Sequence, residues 1–209
     1  MIAGLLSVVP AIDAADYLVK AAENANQVFT GALFHFIMSV AYIGVAITLY
    51  PILKKFNKSL ALGFLSFRII ATVFLIMGVI SLLLLLNHSQ AYLKAASSDL
   101  VFYQTIGDLL HSGRDFSNHI AMIISLNIGG VMFYVLLFKA KLIPQWISGW
   151  GLVGTILAIA ASLLVMFNIL EIITPSYIIL NVPLALQELT LALWLIFKGF
   201  NPQRINSKR

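Results

Sequence analysis

The sequence predicts an all-α fold, a polytopic bundle of transmembrane helices, from three observations. Of the 209 residues, 61% are hydrophobic and 10% charged, where soluble domains run near half and about a quarter. Five apolar stretches, at 28–53, 60–86, 116–138, 146–170 and 176–197, each reach the roughly 20 residues a helix needs to cross the hydrocarbon. Arg68 and Glu188 are the only charged residues inside them. The gaps between the stretches alternate between basic and acidic, as loops on opposite faces of a membrane do. A bilayer leaves backbone polar groups no water, so a span must be a helix or part of a closed barrel. The apolar runs do not alternate with polar residues, which leaves helices.

In chain order, residues 1–12 are apolar but too short to cross. No basic segment precedes them, which favours a re-entrant or truncated helix over a signal peptide. Tyr50-Pro51 closes the first span. The stretch from Asp99 to Lys139 has no proline, and Ser97-Ser98-Asp99 offers an N-cap. A continuous helix there would be about 60 Å long, about twice the hydrocarbon thickness. A break near Ser112-Gly113 is therefore expected, leaving 100–111, with Gln104 and Asp108, as an interfacial helix. Pro144-Gln145-Trp146 opens the next span, with Trp146 and Trp150 as interfacial anchors. Gly151, Thr155, Ala158 and Ser162 recur there at helical spacing, a stripe that allows close helix packing. In the last span Pro183 removes one backbone donor and should free the carbonyl of Ile179. The whole chain, 1–209, reads as one helical domain.

Charge sets the orientation. Lys54, Lys55, Lys58, Lys139, Lys141, Lys198, Arg204, Lys208 and Arg209 fall in the basic gaps and tail, with no acid among them. The other gaps hold Lys20 and Lys94 with Asp13, Asp16, Glu23, Asp99 and Glu171. The positive-inside rule then puts the C-terminus in the cytoplasm of a multi-pass protein of the plasma (inner) membrane. The net charge of +5 is explained by helix-end lysines facing anionic lipid at the cytoplasmic face, and no nucleic-acid partner is expected. With no cysteine there is neither a disulfide nor a thiolate metal site.

Polar residues within the spans fall into two layers. Arg68 is ten residues from Lys58, Glu188 ten from Lys198 and Asn127 twelve from Lys139. At 1.5 Å per residue all three lie roughly 15–18 Å from the basic boundary, near mid-membrane. A lone charge there is costly, so Arg68 and Glu188 are expected to pair, directly or through Asn127 or Gln187. His35 and His119 stand near 30 Å, towards the outer face, with Asp115 one turn above His119 and Arg114 beside it. Without a break, His111, Asp115 and His119 would share a face at i, i+4 and i+8.

These layers support three functional readings. The first is small-molecule or ion transport or sensing through an internal polar cavity around Arg68 and Glu188, without catalysis. The second is an intramembrane metal-dependent hydrolase in which His35, Asp115 and His119 hold a divalent metal such as zinc, with Ser39 near His35. The third is b-type haem held by His35 and His119. No HExxH, GxSxG, Walker or Rossmann pattern is present. The chain is thus read as a non-enzymatic protein with no expected cofactor and an unidentified small molecule as its partner.

Several stretches resemble a bacterial family of integral membrane proteins known as domain of unknown function 4386. They are Gly31-Ala32-Leu33, Tyr50-Pro51-Ile52-Leu53-Lys54-Lys55, Phe67-Arg68-Ile69-Ile70, Arg114-Asp115 with His119, Leu142-Ile143-Pro144-Gln145-Trp146 and Lys198-Gly199-Phe200-Asn201-Pro202. The resemblance implies six helices, the first largely missing here, and supplies no activity. The family often has an acid where His35 and Ala71 stand in this chain.

Overall fold

The computed structural model describes residues 7–172 and 174–206. Every regular element among these residues is helical. The helices are α1 (Tyr17–Glu23), α2 (Ala25–Leu53), α3 (Lys58–Tyr92), α4 (Leu100–Asp115), α5 (Ile123–Ala140), α6 (Gln145–Met166), α7 (Pro175–Phe197) and α8 (Pro202–Asn206). Pro10–Ile12 and Ser97–Asp99 form 3-10 turns, and a π-helical segment, Phe116–Met122, joins α4 to α5. Five helical stretches are long and apolar enough to cross a membrane: Ala25–Leu53, Lys58–Tyr92, Ser97–Ala140, Gln145–Met166 and Pro175–Phe197. Large apolar side chains stand exposed along them, such as Val40, Ile80, Ile156 and Ile196. That is the surface a helix shows to lipid, where burial among protein atoms brings no hydrophobic gain.

Local chemistry sets the helix ends. The Asn57 carboxamide accepts the Leu60 N–H at 3.0 Å and starts α3. Thr174 accepts the Tyr177 N–H, with Pro175 as the first helical residue of α7. Lys141 closes α5 with a φ of 52°, its N–H donating back to Phe138 O. Helix α6 stops at Met166, four residues before the apolar run does, because Asn168 turns left-handed at φ 55°. Of the partial helix expected at 1–12, residues 1–6 lie outside the described residues, and Pro10–Ile12 is one 3-10 turn.

The break expected near Ser112-Gly113 is not there. Helix α4 runs through both residues to Asp115, and the path stays helical to Ala140. Gly113 does not take a positive φ, so it costs the helix only the ordinary glycine penalty of about 1 kcal/mol. The polar half of α4 is also satisfied within the protein, since Asp108 and His111 find partners in the N-terminal segment. The irregularity falls three residues later, in the π-helical segment.

The chain forms two compact units, the first running to Ala41 together with Val73–Asn118, the second comprising Tyr42–Thr72 and the chain from His119. In the first, Val9, Ile12, Leu18 and Ala21 pack with Val28 and Ala32 of α2 and Val79, Leu82 and Leu86 of α3. Gly31 has no room for a side chain because a Cβ would overlap Val9. In the second, Phe64 stacks on Phe133, and Leu136, Leu137, Leu142, Ile147 and Leu184 complete the core. The stripe on α6 packs as expected: Gly151, Thr155, Ala158 and Ser162 are all buried. A Cβ at Gly151 would strike the Tyr134 ring, and one at Gly154 would lie 3.0 Å from the Leu184 backbone. Small residues thus let α5, α6 and α7 approach closely.

Candidate functional site

Polar groups gather at one place in each unit. In the second unit Arg68, on α3, lays its guanidinium over the rings of Tyr42 and Phe64, 5.2 and 5.3 Å from their centroids. Cation–π contacts of this kind stabilise a cation that lacks water. The Arg68 Nε is buried and has no hydrogen-bond partner among the described residues. Glu188 stands exposed on α7.

The expected Arg68–Glu188 pair does not form among the described residues, whose four salt bridges all lie elsewhere. Neither amide bridges the two charges. Asn127 donates to its own helix at Ile123 O, 2.9 Å away. Gln187, fully buried, accepts the Tyr134 hydroxyl at 2.7 Å and donates to Ile147 O at 3.0 Å. Equal depth fixed only one coordinate. Successive helical residues project about 100° apart, so the buried Gln187 and the exposed Glu188 look in different directions.

In the first unit Arg114 is the hub. It is 8% exposed, and its Nη1 donates to Asp115 Oδ1 at 2.9 Å and lies 3.7 Å from Asp13 Oδ1. His111 Nε2 donates to Ile12 O at 2.9 Å, which fixes that proton because a carbonyl only accepts. Its Nδ1 lies 3.5 Å from Asp115 Oδ2. Burial pushes the Asp13 carboxyl up from its ordinary value, against the pull of Arg114. The Tyr17 hydroxyl donates to Asp108 Oδ1 at 2.6 Å, and burial together with that carboxylate raises its pKa. Residues Asp13, His111, Arg114 and Asp115 therefore tie the N-terminal segment to α4.

The proposed metal ligands each have a local partner. His35, buried on α2, donates from Nδ1 to Gly31 O at 2.9 Å, and Ser39 donates to His35 O. Asp115 is held by Arg114 and His111. His119 belongs to the second unit, where its Nδ1 lies 3.2 Å from the Tyr177 hydroxyl and its carbonyl accepts from Ser162. Among the described residues no three His, Cys, Asp or Glu side chains come together to hold a metal ion. The three-ligand centre expected of His35, Asp115 and His119 is therefore not assembled. Helical spacing puts side chains on one face but does not make separate helices converge. His88 lies in the last turns of α3 and bonds Tyr103 O at 2.7 Å.

Sequence reading missed Asp13, Tyr17, Tyr42 and Tyr134. The usable signal was chemical: a tyrosine inside an apolar run needs an acceptor, and an arginine there needs an aromatic or anionic neighbour.

A family model, domain of unknown function (DUF4386), matches residues 1–199. The chain belongs to this family. No curated protein and no solved structure matches it. Membership of the family accords with five apolar helices and a multi-pass membrane protein, and names no reaction.

Proposed function

We propose that this DUF4386 member is a multi-pass plasma-membrane protein, its C-terminus in the cytoplasm, that recognises and transports a small organic carboxylate at Arg68. The observation that carries this reading is the unspent guanidinium. Arg68 is ten residues into α3 from its lysine-marked start, rests on two aromatic rings, enters no salt bridge among the described residues, and has a buried Nε with no hydrogen-bond partner among them. An arginine at mid-membrane costs about 2.5–3.5 kcal/mol on insertion scales. A structural arginine would recover that cost through a permanent partner, whereas one held ready by aromatic rings suits an anion that comes and goes. The guanidinium fork matches a carboxylate bidentately.

Uptake of radiolabelled acetate and benzoate into proteoliposomes tests this reading. Arg68→Gln should abolish uptake. Arg68→Lys should retain only a small part, because an ammonium keeps the charge but loses the planar fork. Uptake by Arg68→Gln equal to that of the parent would refute it.

A further inference from the structure

A cavity of about 480 Å³ in the second unit plays no part in that reading. Its size falls within the roughly 300–1,000 Å³ of small-ligand pockets. Two segments distant in sequence line it, 141–145 from the end of α5 to the first residue of α6 and 198–202 from the end of α7 to the first residue of α8, with Trp194 on its wall. The first shares 142–145 with one of the stretches through which the chain resembles its family, and the second coincides with another. The segments are latched together by the Asn201 N–H, which donates to Leu142 O at 2.9 Å.

The lining is cationic and unopposed. It contains Lys141 and Lys198 and no aspartate or glutamate, and neither lysine makes a salt bridge among the described residues. Lys141 holds a left-handed backbone that residues other than glycine rarely adopt. Asn201 Oδ1 is occupied by the Gln203 N–H at 3.1 Å, which leaves its NH₂ as a donor. Gln145 and the Trp194 indole add further donors, and the indole face adds an apolar wall. Two cations with several neutral donors and an apolar side are the complement of a phosphate group attached to something less polar.

We propose that this cavity binds a phosphate-bearing group, with Lys141 and Lys198 supplying the charge and Asn201, Gln145 and Trp194 the remaining hydrogen bonds. A phospholipid headgroup and free phosphate share this chemistry. The lipid source rests on the membrane placement proposed above. The free-phosphate source does not, and neither depends on Arg68, so either proposal can fail without the other.

The test uses the full chain purified in mild detergent. Native mass spectrometry compares added phosphatidylglycerol with phosphatidylcholine, and calorimetry measures inorganic phosphate alone. The variant pair is Lys141→Asn with Lys198→Gln, asparagine being chosen because it tolerates a left-handed backbone. Lys54→Gln with Lys55→Gln removes the same charge away from the cavity. The cavity pair should weaken binding of phosphatidylglycerol or phosphate at least tenfold, and the control pair less than threefold. Retention of phosphatidylglycerol alone assigns the site to the headgroup, and calorimetric binding of phosphate assigns it to the free anion. Equal loss in both pairs, or binding of neither probe by the parent, overturns the proposal. Hydrogen exchange on the unaltered protein gives a check that needs no variant: the bound probe must protect 141–145 and 198–202, and protection confined to other segments overturns it as well.

Discussion

Gln187 is buried at 0% exposure where α5, α6 and α7 meet, and both ends of its carboxamide are used. Gln187→Leu keeps a side chain of similar length and removes both hydrogen bonds. Interhelical hydrogen bonds in membrane proteins average about 0.6 kcal/mol and reach about 1.7, so the two together account for about 1–3 kcal/mol. The upper half of that range is expected, because Tyr134 is 3% exposed and its hydroxyl would be left without an acceptor or water. Tyr134→Phe removes one of the two bonds and should cost about 1 kcal/mol. The double variant should cost less than the sum of the singles, with a coupling of about 0.6–1.7 kcal/mol. Reversible unfolding in mixed micelles, followed by the fluorescence of Trp146, Trp150 and Trp194, measures all four corners of the cycle. A coupling below about 0.3 kcal/mol, within the scatter of independent sites, would refute the assignment of Gln187 as a packing node.

Gly151→Leu should destabilise by about 1–3 kcal/mol, since its Cβ strikes the Tyr134 ring. Gly149→Ala, with nothing within 4 Å of the new Cβ, should be neutral or stabilising by up to about 1 kcal/mol in the same unfolding assay. Asp13 carries a raised pKa, so the folded state binds its proton more tightly and the carboxyl's stabilising contribution is lost as pH rises above the ordinary carboxyl value of 3.8. Asp13→Asn removes that titration, and unfolding measured across the acid range should show the variant-minus-parent stability difference rising with pH in this window and flat above it. The orientation is checked in intact cells with an impermeant thiol reagent, on a chain with no cysteine of its own. Lys58→Cys should resist the reagent and Ser97→Cys should react, and the reverse pattern would invert the proposed topology.

Local sequence is enough for the fold class and for the five long apolar helices. Both follow from local properties, namely the length of each apolar run, the helix former or breaker at its ends, and the type of loop that follows. The stripe of Gly151, Thr155, Ala158 and Ser162 was legible for the same reason, since helical periodicity puts these residues on one face and small residues pack wherever a neighbour arrives. The break expected at Ser112-Gly113 is absent because glycine only permits a break, and because the N-terminal segment satisfies the polar half of α4. The candidate sites were legible only in part. Depth along a helix follows from counting residues, and it ranked Arg68, Glu188, Asn127 and Gln187 together. Rotation about the axis and the choice of neighbour do not follow from it. Tertiary packing decided that Gln187 turns to Tyr134, that Glu188 faces outward and that Arg68 rests on Tyr42 and Phe64. It also brought 141–145 and 198–202 around one cavity, a pairing that needs two helix ends to meet in space and leaves no periodic trace in the chain.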